Sequence, residues 1–111
     1  MSSANMPKRS TENLKIRDLR AGMDGVTTTG RITKISEKME VETKFGKSHL
    51  AVALLVDETE SIRLNLWRWQ IDLVKVGDII RIENGFVRSF KDQLELNVGS
   101  KGKITLISKS R

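Results

Sequence analysis

Residues 61–88 read SIRLNLWRWQIDLVKVGDIIRIENGFVR, and they order the fold as a strand, a short helix and a second strand. From Ile62 to Trp67 apolar and polar residues alternate, so Ile62, Leu64 and Leu66 share one face and Arg63, Asn65 and Trp67 the other. The apolar set is the interior, which leaves Trp67 outside beside an arginine and an asparagine. Gln70 to Val76 carries Ile71, Leu73 and Val74 at helical spacing, and Gly77 closes it as a short helix. Asp78 to Arg88 is extended again. Ile80 and Ile82 face in and Arg81 and Glu83 out, but strict alternation would then bury Asn84, Phe86 and Arg88. A β-bulge at Asn84-Gly85 removes the conflict, because one extra residue flips the parity. Val87 then points in, and Phe86 and Arg88 point out.

On the N-terminal side, Val26, Thr28, Gly30 and Ile32 alternate with Thr27, Thr29, Arg31 and Thr33 as a first strand rich in β-branched residues. Glu37 to Lys47 is charged and contains Gly46, and reads as a long loop or a splayed hairpin end. Ser48 to Val56 is a second strand, with Leu50, Val52, Leu54 and Val56 expected inside and His49, Ala51 and Ala53 outside as a flat floor beside Trp67. Asp57 to Glu60 turns into the strand at Ile62. Asn13 to Gly22 holds a short helical turn with Ile16 and Leu19 on one side, and residues 1–12 read as a disordered tail.

On the C-terminal side, Ser89 to Asp92 is a tight loop. In the strand Gln93 to Val98, Leu94, Leu96 and Val98 face in and Gln93, Glu95 and Asn97 out. Gly99-Ser100-Lys101-Gly102 reads as a turn into a last strand, Lys103 to Ser108. The chain is thus all-β: a small five-stranded Greek-key barrel of the OB type over residues 13–108, with a short helix between strands 3 and 4, an extra C-terminal strand and an end segment 109–111. An open β-sandwich fragment is the rival.

The chain has 111 residues, room for one domain, and its 38% hydrophobic and 31% charged content suits a globular one. Without cysteine it has no disulfide framework, thiolate metal site or cysteine nucleophile. The longest apolar run, Leu50 to Val56, is too short to span a bilayer. No apolar stretch follows Lys8 and Arg9, so neither a secretory signal nor a membrane partner is expected, and a cytoplasmic, nucleoid-associated place is. The net charge of +6 points to a polyanion, yet Leu14 to Ser100 holds 14 basic and 13 acidic residues. Bulk charge makes nucleic acid plausible; the placement of side chains must carry the reading.

That placement gathers Trp67, Phe86 and Phe90 outside, edged by Arg31, Arg63, Arg88 and Lys91, with Asn65 beside them. Aromatics offer a stacking face to any base, and cations meet phosphates and ring faces. The competing reading has Trp67 and Phe86 capping the barrel or packing under the long loop. Trp69 has two places open, the outer face or a plug at the barrel end, and the plug is preferred. Phe45 either pins its loop or reaches ligand. Lys44, Lys47 and Asn97 complete the candidate set.

Four stretches carry a family resemblance: Val56-Asp57-Glu58-Thr59; Leu64-Asn65-Leu66-Trp67; Val76 to Phe86; and Phe90-Lys91-Asp92-Gln93 through Ser100. Together they resemble the archaeal single-OB single-stranded DNA-binding proteins, which are similar to the OB domains of replication protein A. The resemblance covers roughly two-thirds of the chain. It implies single-stranded DNA as ligand, base stacking on Trp67, Phe86 and Phe90, and work in replication, recombination or repair beside proteins of those processes. The chain departs from that pattern with Glu60 where the turn usually has Gly, and with Phe86 in place of Trp or Tyr.

Other motifs fall away. Gly46-Lys47-Ser48 ends like a phosphate-binding P-loop but has Val41 where the first Gly belongs. Gly99-Ser100-Lys101-Gly102 mimics a KH clamp without its architecture. His49 is the sole histidine, and Asp57, Glu58 and Glu60 read as a solvated acidic turn rather than a Mg²⁺ site. Nothing assembles a nucleophile, base and oxyanion donor, so neither catalysis nor a cofactor or metal is expected. The expectation is a monomer that binds single-stranded DNA with weak sequence preference. The alternatives are an RNA or tRNA-binding OB module, and an OB subunit that binds protein in a replication protein A-like assembly.

Overall fold

The computed structural model describes residues 13–109, so the tail expected over 1–12 lies outside the described residues. Seven strands follow in order: β1 (Asn13–Leu14), β2 (Val26–Ile35), β3 (Met39–Thr43), β4 (Gly46–Val56), β5 (Ser61–Trp67), β6 (Ile79–Phe90) and β7 (Gln93–Ser108). Five close a ring. β2 pairs antiparallel with both β4 and β6, β4 with β5, and β6 with β7, while β5 and β7 meet in parallel. A closed ring leaves no open edge around the core, and it is the barrel that the strand order predicts.

The interior is filled by Ile32, Leu55, Leu64, Leu66, Ile80, Ile82 and Leu96, each fully buried. Burial of such a side chain stabilises by about 1.5–3 kcal/mol, so this layer dominates stability. A 3-10 turn, Ile16–Asp18, lays Ile16 and Leu19 over one end. Asp57 fastens it there by accepting the Ile16 backbone N–H at 2.8 Å, and Lys15 pairs with Glu58. Burial alone would push the Asp57 carboxyl up. The Thr59 hydroxyl and the N–H groups of Ile16, Thr59 and Glu60 outweigh that and hold it at about 2. The acidic cluster is therefore a turn whose central carboxylate is saturated with donors, and Glu60 stays out of the left-handed region.

The opposite end is closed by a second 3-10 helix, Arg68–Leu73, rather than by a helix over Gln70 to Val76. It starts early because Arg68 takes a left-handed φ of 52° directly after Trp67. Gln70 enters the barrel, accepting the Trp67 N–H at 2.9 Å and donating to the Val98 carbonyl at 2.8 Å. Both polar atoms are satisfied, as burial requires.

Of three further expectations, one holds and two are overturned. The bulge is present: Asn84 has φ 57°, pairing jumps between Glu83 and Gly85, and Val87 is buried while Phe86 is turned outward. The inside of β4 is the reverse of the expected one. Ala51, Ala53 and Leu55 are buried opposite Leu66, Leu64 and Ile62, whereas Leu50, Val52 and Leu54 lie level with Trp67, Asn65 and Arg63 on the outer face. Both faces of β4 are apolar, so side-chain size misleads; the barrel closes tightly here and takes the small residues inward. Gly30 opposite shows the same crowding, since a Cβ there would stand 2.9 Å from Leu55 Cγ. Finally, Gly99 to Gly102 is not a turn. β7 runs on through it, with Glu83 paired to Lys103 and Gly85 to Val98, so the four residues bulge opposite Asn84. Of the two readings of 37–47, the hairpin is the observed one: β3 and β4 form an arm with Lys44 and Phe45 at its tip.

Candidate nucleic-acid interface

Register places the outer side chains of four strands in rows. Phe86 on β6 stands level with Asn97 on β7, Asn65 on β5 and Val52 on β4. The next row holds Arg88, Glu95, Arg63 and Leu54, extended by Lys34 on β2. On the other side Trp67 faces Leu50, which faces Met39 of the β3 arm. The centre is polar and tightly joined. Asn65 Nδ2 donates to Glu95 Oε1 at 3.1 Å and to Asn97 Oδ1 at 3.2 Å. Arg63 pairs with Glu95 at 3.5 Å, and the Trp67 indole N–H reaches Asn97 Oδ1 at 3.4 Å. Both asparagines are nearly covered, at 7% exposure, so this web fixes the part-buried Trp67 in orientation.

Each phenylalanine of the surface carries a cation from its own neighbourhood. The Arg88 guanidinium lies 5.0 Å from the Phe86 ring centre, Lys91 Nζ 5.5 Å from that of Phe90, and Lys44 Nζ 5.9 Å from that of Phe45. Phe90 is half exposed beside a two-residue turn in which Lys91 and Asp92 both have positive φ, the geometry that a tight hairpin requires. Gly99 lies beside the Phe86 ring, where an added Cβ would stand in ordinary contact, 3.5 Å from Phe86 Cε1.

Trp69 is not a plug. It is 63% exposed, and Gln70 takes the place inside. With Trp67 and Phe86 it lines a cleft of about 630 Å³, whose other wall is the β3–β4 arm with Lys44, Phe45, Lys47 and Ser48. Of the two readings of Phe45, the arm tip supports reach toward a ligand, for its ring is 92% exposed and the turn is held by Thr43 instead. The cleft thus joins Lys44, Phe45, Lys47, Trp67, Trp69, Phe86 and Asn97, while Phe90, Lys91, Arg63 and Arg88 continue the surface toward the β6–β7 tip.

Arg31 stands apart. It lies on β2, which borders neither β5 nor β7, and its guanidinium donates to the Gly77 carbonyl at 3.1 Å. Two cations on the surface escape the sequence reading. Arg68 lines the cleft from its left-handed position, and Lys34 extends the Arg63 row because β2 carries an irregularity between Ile32 and Lys34. Arg68 was findable as a cation between two tryptophans; Lys34 depends on a register no local pattern reveals. Among the described residues no three His, Cys, Asp or Glu side chains gather as a metal set, and no helix is long and apolar enough to cross a membrane.

Residues 6–106 match the family model described as single-stranded DNA binding protein Ssb-like, OB fold. The single-stranded DNA binding protein Ssb of Saccharolobus solfataricus is 37% identical over 90 residues, 81% of this chain and 61% of that protein. Replication factor A of Methanothermobacter thermautotrophicus is 33% identical over 94 residues, 84% of this chain but 12% of that protein. The chain therefore spans about three-fifths of the length of the one and about an eighth of the other. A crystal structure of a domain of replication protein A from Methanococcus maripaludis superposes with a TM-score of 0.74 at 33% identity, covering 90% of this chain and all of that domain. With strand order, barrel closure and sequence in agreement, the chain belongs to the Ssb-like OB-fold family of single-stranded DNA binding proteins.

Proposed function

We propose that this chain binds single-stranded DNA across the outer face of β4–β7, stacking bases on Trp67, Phe86 and Phe90 and, beyond these, on Trp69 and Phe45. The observation that carries the reading is the continuity of outward-facing rings, three of them with a cation within 6 Å. Arg63, Arg88, Lys91, Lys44, Lys47, Arg68 and Lys34 supply phosphate contacts, so affinity falls as salt rises, by a slope of about 0.7 for each contact made. Six residues of β7 separate the Phe90–Gln93 pair from the level of Trp67, about 20 Å at ~3.3 Å per residue. That length accommodates about six stacked nucleotides at ~3.4 Å each, within the range of one OB fold.

Membership of a family named for DNA binding supports DNA over RNA as the ligand, and likeness to replication factor A supports a place in replication, with repair a second setting. Both support a binding module rather than an enzyme, acting at the nucleoid. Titration of DNA and RNA oligonucleotides of equal length at two salt concentrations, followed by tryptophan fluorescence, tests the proposal. Tighter DNA binding with quenching is the expected result, and absence of binding to either polymer overturns it.

A further inference from the structure

Glu95 occupies the middle of a surface proposed to meet a polyanion, and bulk electrostatics gives it no role there. On β7 it pairs in register with Arg63 of β5 and Arg88 of β6, its carboxylate meets Arg63, and its side chain is only 17% exposed. It is also held in a defined pose. Oε1 accepts from Asn65 Nδ2 and Oε2 faces Arg63 Nη1. Asn65 cannot swing away, because its second amide proton is given to Asn97, which the Trp67 indole steadies in turn. The Arg63 guanidinium offsets the charge, so what the surface presents at this point is a hydrogen-bond acceptor with lone pairs to spare.

A base laid on Phe86, one row away, brings its edge to this row. Cytosine carries an N4 amino donor where thymine, a pyrimidine of the same size, carries the O4 acceptor. An acceptor facing an acceptor leaves both unpaired, which is what makes polar readout discriminate. We propose that Glu95 is a base-reading residue that favours cytosine over thymine in the bound strand. This deepens the single-strand reading and rests on it.

The test compares labelled oligo-dC and oligo-dT of equal length at neutral pH by fluorescence anisotropy, on the wild type, Glu95→Gln and Arg63→Gln. The wild type is expected to prefer dC by about fivefold, the low end for one base contact. In Glu95→Gln the amide can donate to O4, so the ratio is expected to fall close to one, chiefly by tighter dT binding. In Arg63→Gln the carboxylate remains, so both affinities fall while the dC preference stays. A wild type without preference overturns the inference. So does a Glu95→Gln variant that binds both polymers more tightly in equal proportion, the outcome of a purely electrostatic role. If the wild type binds neither polymer, the failure lies with the single-strand reading itself.

Discussion

Trp67→Ala separates stacking from charge and from stability. The indole sits on the outer face, level with Leu50 and tied to Asn97, while the neighbouring Leu66 and Leu64 point into the core and stay covered. Its loss removes one stacking platform, worth about 1–3 kcal/mol per base. Taking about 2 kcal/mol, the dissociation constant rises about 30-fold. The side chain is part-buried, so truncation also costs roughly 1 kcal/mol of stability, a melting shift of about 4–8 °C for a domain this size. No charge changes, so the slope of log affinity against log salt should match the wild type. Anisotropy of a labelled single strand at several salt concentrations, with thermal melting as control, measures all three quantities. Trp67→Phe should recover most of the affinity. Binding within about twofold of wild type by a cooperatively folded Trp67→Ala protein would refute the stacking argument, since the weakest stack expected is worth about fivefold.

Arg88→Ala should weaken binding and lower the salt slope by about 0.7, the loss of one phosphate contact on a single strand, whereas Arg31→Ala should leave the slope unchanged because Arg31 faces Gly77 on another side of the barrel. Trp69→Ala should weaken binding by about 1–2 kcal/mol with an unaltered melting temperature, its ring being 63% exposed; a loss of stability would restore it as a structural plug. Asp57, held at about 2 against an ordinary 3.8, binds its proton more weakly folded than unfolded. Its contribution is complete above about pH 4 and vanishes as pH falls toward 2. Asp57→Asn should therefore lower stability at neutral pH by about 1–2 kcal/mol, allowing for solvent screening, and flatten the pH dependence of melting in that window.

Periodicity alone determines much of this protein. The alternation in Ile62–Trp67, the glycine after the 3-10 segment and the clash that strict parity would create at Asn84-Gly85 are local facts. They specify strand, turn and bulge because pleat and backbone sterics act over a few residues. They also place Trp67 and Phe86 outside, since burying Arg63 or Arg88 unpaired would cost too much.

Where both faces of an element are apolar, or where a side chain has two places to go, the local pattern is silent and the closed barrel decides. The alanines of β4 lie inward opposite the buried Leu66 and Leu64, and Leu55 takes the inward place beside Gly30, where a Cβ would stand 2.9 Å from its Cγ. Trp69 is displaced outward because Gln70 finds both its hydrogen-bond partners in the barrel end. Arg31 falls away from the aromatic row, and Lys34 joins it, because ring closure sets which strands are neighbours. Proximity across a barrel is a property of the whole chain, and no window of sequence contains it.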